Sequence, residues 1–153
     1  MKRFALTLML TIALPALADR MPLPASTPAS YKAECSSCHM AYQPALLSAN
    51  DWRRTMAGLK DHFGTDAAVD APQGQEISTF LERNAGNATK LGNAGEPPRI
   101  TQTARFIRKH REIAPRYWND PRIKSAANCE ACHRGAADGN YSEHDILIRE
   151  LRR

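Results

Sequence analysis

The chain has 153 residues, a formal net charge of +5 and four cysteines. A chain of this length forms one modest domain or two very small ones, and its few large apolar side chains predict a thin core. No run of basic residues is interleaved with aromatic residues, and the charge falls to +3 once Lys2 and Arg3 leave with a signal peptide. The composition therefore gives no support for nucleic-acid binding. It also indicates that something besides apolar side chains helps to stabilise the fold.

The first 18 residues have the pattern of a secretory signal peptide. Lys2 and Arg3 precede an apolar run over residues 4–14, and Ala16-Leu17-Ala18 provides a small-x-small cleavage site. The run is too short to cross a bilayer, and no other stretch approaches the roughly 20 apolar residues that a spanning helix needs. We therefore expect cleavage after about Ala18 and a periplasmic protein without membrane insertion.

The next two segments are predicted to be a flexible arm and the first haem-sized lobe. Residues 19–30 are rich in Pro, Ser and Ala, which favours an extended, mobile conformation. Residues 31–83 form the N-terminal lobe. Cap-type residues before Trp52 and apolar residues every three or four positions predict an amphipathic helix that is ended by Gly64. A second helix is predicted over residues 75–83.

The remaining chain is predicted to contain a linker and a second lobe. Residues 84–98 hold three glycines and two prolines with almost no large apolar residue, so we expect a linker that buries nothing. In the C-terminal lobe, residues 99–153, Thr101 or Thr103 caps a helix that continues to Ile113. Asp120-Pro121 would begin another helix that ends at Gly135. No segment alternates with period two, so the fold class is all-α, two-lobed, with little or no sheet.

All four cysteines lie in two pentapeptides, Cys-Ser-Ser-Cys-His at residues 35–39 and Cys-Glu-Ala-Cys-His at residues 129–133. Two structural disulfides would each close a tiny loop and remove little chain entropy. A zinc site with four cysteines requires both halves to converge on one metal, and a thiol redox motif has no use for the histidine.

A c-type haem site uses every residue of the motif. Two thiols at this spacing add to the haem vinyl groups, and the adjacent imidazole binds the iron. We therefore predict covalent attachment of two haems. The thiols are those of Cys35, Cys38, Cys129 and Cys132, and the proximal iron ligands are His39 and His133.

The second face of each iron needs a further ligand, and the remaining candidates are His62, His110, His144, Met21, Met40 and Met56. His62 lies at the edge of the apolar stripe of its predicted helix. His110 shares an apolar helix face with Phe106, Ile107 and Ile113, which makes it the strongest candidate. We interpret Met56 as a core residue and His144 as a surface residue, and leave iron ligation by either as an alternative. Proximity in sequence assigns His62 to the first haem and His110 to the second, with the reverse pairing left open.

The sequence resembles the small periplasmic di-haem cytochromes c that donate electrons to the sphaeroides-type oxygen-binding haem protein. The resemblance is carried by residues 35–52, "LKDHFG", "RFIRKHREI" and "ANCEACHRGA" in that order. It implies that His62 and His110 are the distal ligands. It also implies bis-histidine coordination of both irons and a helical two-lobed fold. The segment 84–98 and the ending "ILIRELRR" depart from the family pattern.

We expect an electron-transfer shuttle and not an enzyme. If imidazoles occupy both faces of each iron, electrons still pass through the haem edge while substrates have no open position. Ligation by two histidines also favours a low potential, because the Met/His pairing is the one that raises it. The resemblance implies an oxygen-binding c-type haem protein and a b-type membrane cytochrome as partners, and we expect a monomer. A small peroxidase, a nitrogen-oxide reductase or a redox sensor with one opening iron is the alternative.

Overall fold

The computed structural model describes residues 19–151, so the predicted signal peptide lies outside the described part of the chain. The five α-helices of this part are α1 (Ala29–Cys35), α2 (Ala49–Ala57), α3 (Ala71–Arg83), α4 (Ala88–Leu91) and α5 (Ala104–His110). Short 3-10 helices occur at Pro44–Leu46, Leu59–Asp61, Ile100–Gln102, Pro115–Asn119, Cys129–Ala131, Glu143–Asp145 and Arg149–Leu151. Residues 19–151 contain isolated β-bridges and no β-strand, which confirms the all-α prediction.

Helices α1, α2 and α3 surround the larger apolar cluster of the fold. Its buried side chains include Tyr31, Trp52, Ile77 and Leu81, contributed by all three helices. The Trp52 indole N–H donates to the carbonyl of Pro44 at 2.7 Å. Tertiary packing thus stabilises helices that are too short to be stable in isolation.

Helix α2 begins where the sequence predicts and ends six residues early. The Ser48 hydroxyl accepts a hydrogen bond from the backbone N–H of Asp51 at 3.2 Å and caps the helix. At the other end, the N–H of Gly58 donates to the carbonyls of Arg54 and Thr55, both at 3.1 Å. The prediction of one helix to Gly64 is wrong because these bonds close the last turn at Gly58. His62 therefore lies in a turn and not on α2.

The segment 84–98 contains structure that its composition did not predict. The Asn87 side chain accepts from the N–H of Lys90 at 3.0 Å and caps α4. Leu91 is only 2% exposed, and Ala94 is buried as well. The expectation that this segment buries nothing is wrong, because Leu91, Ala94 and Pro98 are all buried. The division of the chain into two haem lobes stays a prediction.

Helix α5 begins at its predicted cap, since the Thr103 hydroxyl accepts from the N–H of Phe106 at 3.2 Å. The helix predicted after Asp120 is wrong. The Asp120 carbonyl accepts from Ile123 and Lys124 at 2.8 and 2.9 Å, and Lys124 then adopts a φ of 65°. A left-handed residue ends a right-handed helix, so the chain continues as turns to the second cysteine motif. Beneath it lies a small apolar cluster of Ile123, Ile146 and Ile148.

The segment predicted as a flexible arm is bound to the C-terminal part of the chain. The N–H of Met21 donates to the Gly139 carbonyl at 2.7 Å, and the N–H of Tyr141 donates to the Asp19 carbonyl at 2.9 Å. Lys109 forms an ion pair with Asp19 at 2.7 Å. A Cβ on Gly139 would stand 2.1 Å from the Met21 carbonyl oxygen, so only glycine allows this approach. Across residues 19–151, none of the helices has the length and apolar character needed to span a membrane.

Candidate haem sites

The first cysteine motif begins at the last residue of α1. Cys35 packs against the larger apolar cluster, whereas Cys38 and His39 are exposed. The Nδ1 atom of His39 lies 2.8 Å from the Met40 carbonyl, which is the hydrogen bond that fixes the ring of a metal-binding histidine. This bond leaves Nε2 of His39 free to bind iron.

His62 faces His39 from the turn after α2. Its ring centre lies 6.3 Å from that of His39, with 39° between the ring planes. Two backbone bonds with Thr65, at 2.8 and 3.2 Å, hold the turn. Phe63 has a φ of 54° and a side chain that is 44% exposed. The Arg99 guanidinium covers its ring at 4.0 Å. The first site is therefore a surface site.

The second cysteine motif forms a tight 3-10 turn. The N–H groups of Cys132 and His133 donate to the Cys129 carbonyl at 3.2 and 2.8 Å. The Cys132 carbonyl accepts a hydrogen bond from the N–H of Leu147 at 2.8 Å. The Cys132 side chain packs on the small apolar cluster. The C-terminal segment thus holds this motif against the fold.

His110 faces His133 from the end of α5. The two ring centres are 6.1 Å apart, with 83° between the ring planes. The Nδ1 atom of His110 lies 2.9 Å from the Phe106 carbonyl. The rings of His110 and Phe106 stack with their centres 4.0 Å apart. Trp118 lies 5.8 Å from His110, edge to face. Ile107 does not share this face as predicted, because its side chain is 58% exposed.

A cavity of about 450 Å³ surrounds the second pair. This volume is in the range of cofactor pockets, roughly 300–1,000 Å³. Most of the lining side chains come from α5 and from residues 113–146. Lining residues include Cys129, Cys132, His133, His110, Trp118, Met21 and Asp19. Both thiols and both imidazoles of the second site thus line one cavity.

Both histidine pairs fit an iron between them. An imidazole nitrogen binds a first-row metal at about 2 Å, and the ring centre lies roughly 1 Å behind it, so two rings on opposite sides have centres about 6 Å apart. The observed separations are 6.3 and 6.1 Å. Two thiols precede each proximal histidine. Each site thus brings together two thiols and two imidazoles, the groups that would attach a c-type haem and bind its iron.

Burial favours the neutral form of three imidazoles, those of His62, His110 and His133. It lowers the pKa of His62, and the neighbouring His39 and Arg99 lower it further. The pKa of His110 falls because of burial, as does that of His133, where His110 adds to the effect. A depressed pKa favours the neutral ring, which is the metal-binding form.

The cysteines lack the features of a disulfide or redox pair. No disulfide joins any two of the four. Burial, with a smaller effect from the charge of Glu34, raises the pKa of Cys35 to about 11. Burial is also the main cause that raises the pKa of Cys129 to about 11. A redox motif needs the opposite shift, because the thiolate is the nucleophile. Among residues 19–151, no three or more His, Cys, Asp or Glu side chains converge as a metal site, which argues against the zinc alternative.

The other ligand candidates form no pair of this kind with a proximal histidine, although Met21 lines the cavity of the second site. His144 is exposed, and its N–H donates to the Ser142 hydroxyl at 3.2 Å. Met56 packs against the larger apolar cluster, as predicted for core filling. Met40 is buried beside His39, and Met21 lies 3.9 Å from the Arg105 guanidinium. The structure therefore brings His62 to His39 and His110 to His133, while iron ligation by these residues stays a prediction.

Two tyrosines beside the proximal histidines were not predicted. The ring centre of Tyr42 lies 4.8 Å from that of His39, and Tyr141 lies 5.5 Å from His133. Tyr42 comes three residues after His39, so its closeness to the motif was a signal. Tyr141 comes eight residues after His133, and only the turns between them bring it back.

A helical fold with two cysteine-histidine motifs, each beside a second histidine, defines the class of small c-type cytochromes with two haems. The model of one family, dihaem cytochrome c, matches residues 31–141. The chain belongs to the dihaem cytochrome c family and carries two c-type haems. Membership implies electron transfer.

Solved structures support the assignment. The chain is similar to a dihaem cytochrome c from Shewanella baltica, with 39% identity, a TM-score of 0.69 and coverage of 78% of this chain and 91% of that one. A dihaem cytochrome c from Rhodobacter sphaeroides gives 37% identity, a TM-score of 0.67 and coverage of 78% and 98%. A second structure from the same organism gives 40% identity and a TM-score of 0.65, with coverage of 74% of this chain and 96% of that one. The comparison with curated proteins gave no match.

Proposed function

We propose that the protein is a periplasmic electron shuttle with two low-potential haems, each bound by two histidines. In this assignment His39 and His62 bind the first iron, and His133 and His110 bind the second. The thiols of residues 35, 38, 129 and 132 attach the haems. The observation that carries the proposal is the placement of two histidine pairs with ring centres 6.3 and 6.1 Å apart.

The residues of the two sites favour electron transfer over catalysis at the iron. Each bound haem supplies one-electron exchange at its iron. With the imidazoles of both pairs bound to their irons, a substrate would reach the metal only by displacing a histidine. Ligation by two histidines favours a low potential relative to Met/His ligation.

The shuttle would move between partners in the periplasm. The signal-like residues 1–18, with cleavage after about Ala18, support export. The resemblance to cytochromes that serve the sphaeroides-type haem protein supports an oxygen-binding c-type haem protein as acceptor and a b-type membrane cytochrome as donor. Redox encounters of this kind generally use small, short-lived contacts. We expect the protein itself to be a monomer.

Stopped-flow mixing tests this proposal. The reduced protein is mixed with an oxygen-binding c-type haem protein, and oxidation of the donor haems is monitored in the visible spectrum. Fast transfer whose rate depends on ionic strength supports the shuttle. Parallel assays supply peroxide or nitrite to the isolated protein. Sustained turnover of either compound would overturn the proposal in favour of an enzyme.

A further inference from the structure

A buried polar bridge joins the two candidate haem sites on their proximal sides. Its central residue is Gln43, which is 1% exposed and comes directly after Tyr42 in sequence. The Gln43 amide N–H donates to the carbonyls of Ala136 and Ala137 at 2.9 and 3.3 Å. The hydroxyl of Tyr141 donates to Oε1 of the same side chain. Both polar atoms of Gln43 are thus bonded to residues over ninety positions away.

Each end of the bridge contacts a proximal histidine. The Tyr42 ring packs on His39 with 30° between the planes. The Tyr141 ring packs on His133 with 72° between the planes. A further bond, from the Tyr42 hydroxyl to the Ala127 carbonyl at 2.7 Å, ties Tyr42 to the segment that leads into the second motif. The chain of contacts runs from His39 through Tyr42, Gln43 and Tyr141 to His133.

Buried polar groups make such a bridge specific as well as stabilising. An amide and a phenol inside the fold satisfy each other at one relative position, and a displaced arrangement leaves both without partners. Apolar side chains would allow the two halves to slide, because the hydrophobic effect is not directional. The bond between Gln43 and Tyr141 therefore selects one arrangement of the two motifs.

We propose that Tyr42, Gln43 and Tyr141 are positioning residues that fix the distance and angle between the two haems. They act through the proximal histidines and touch no substrate. The proposal rests on the presence of two haems and is independent of the shuttle's partners. Its test uses the isolated protein, so a failed partner assay leaves its outcome unaffected.

The test measures circular dichroism in the Soret band of the two-haem protein. Two haems that lie close together couple, and the amplitude of the resulting couplet depends on their distance and mutual angle. Gln43→Leu and Tyr141→Phe each break the bond between the two side chains. We expect each variant to lose roughly half of the couplet amplitude, because a half-satisfied buried network relaxes to a different arrangement. The double variant should lose little more than Gln43→Leu alone, since Gln43→Leu already removes the bond that Tyr141→Phe breaks.

Ser48→Ala is the matched control. It removes the cap of α2, at a buried position, and leaves the bridge intact. This variant should be less stable than the parent protein and should keep the parent couplet. An equal change of the couplet in Ser48→Ala would show that the signal reports stability, which overturns the proposal. A parent couplet in Gln43→Leu and Tyr141→Phe also overturns it. If Gln43→Leu fails to mature, Tyr141→Phe decides, because it keeps the ring on His133.

Discussion

The two candidate haem sites use the same motif in different surroundings. In the first, Cys38 and His39 are exposed and the neighbouring Phe63 is 44% exposed. In the second, both thiols and both histidines line a cavity to which α5 and residues 19–21 also contribute. The motif determines how a haem is attached, whereas the elements packed around the motif determine how much water reaches it.

The difference arises from the path of the chain after each proximal histidine. After His39, the chain turns inward to the larger apolar cluster and leaves the motif at the surface. After His133, turns bring Tyr141 back beside the imidazole, and a backbone bridge to Ile146 holds the C-terminal segment over the motif. The second site is therefore covered from more directions than the first.

The largest expected effect is loss of a distal ligand. His62→Ala and His110→Ala should each convert one of the two haems to the high-spin form, because each removes an imidazole that is proposed to bind the iron. Absorption and electron paramagnetic resonance spectra, with and without carbon monoxide, measure the change. His144→Ala is the control and should leave both haems low-spin. A high-spin haem in this control alone would contradict the ligand assignment.

A glycine substitution tests the closure of the second site. Gly139→Ala places a methyl group against the Met21 carbonyl at a φ of 73°. We expect a loss of roughly 1–3 kcal/mol in the free energy of unfolding, since backbone strain and displacement of residues 19–21 add together. Chemical denaturation measures this loss.

Gly64→Ala is the matched control at the first site. Its φ is 89°, but the new methyl group would have no neighbour within 4 Å. It should cost only the backbone strain, roughly 1 kcal/mol. Equal losses in the two variants would show that residues 19–21 contribute nothing to closing the second site.

The difference in burial also predicts the order of the two reduction potentials. Oxidation adds a positive charge at the iron, and a buried position disfavours that charge. The second haem should therefore have the higher potential, by a difference on the order of 50 mV. Stepwise redox titration monitored by NMR of the haem methyl groups measures it, with assignments from the His62 and His110 variants. A higher potential at the first haem would show that local charges outweigh burial.

The smallest expected effect concerns Arg99 at the first site. Its charge lies over Phe63 and lowers the pKa of His62, so it also disfavours the oxidised iron. Arg99→Gln should lower the potential of the first haem by less than about 40 mV, because an exposed charge is worth about 1 kcal/mol or less. The same NMR titration detects the shift. Arg99→Lys keeps the charge and should keep the potential, and an equal shift there would assign the effect to ring packing.

Local patterns in the sequence predicted the helical class, the caps of α2 and α5 and the two haem motifs. These features depend on residues within a few positions of each other. The early end of α2 at Gly58 was not predicted, because helical spacing continues past it. The left-handed turn at Lys124 was not predicted, because Asp120-Pro121 is a favourable start for a helix. In both places the conformation of a single residue outweighed the local pattern.

Long-range packing limited the prediction of the sites. The spacing of residues made His62 and His110 candidates, but only the fold shows which proximal histidine each one faces. The bridge through Gln43 joins segments far apart in the chain, and a glutamine after a tyrosine carries no local signal. The burial of Leu91 and the binding of residues 19–21 likewise depend on partners that are remote in sequence.

The contact between residues 19–21 and residues 139–141 has a consequence for biogenesis. Ribosomes make the chain from its N-terminus, so the first of these segments emerges long before its partner exists. It must remain without its backbone bonds until nearly the whole chain has been made. A chain whose residues 139–141 have not yet folded leaves the backbone groups of Asp19 and Met21 without these bonds. This contact is therefore among the last that the growing chain can form.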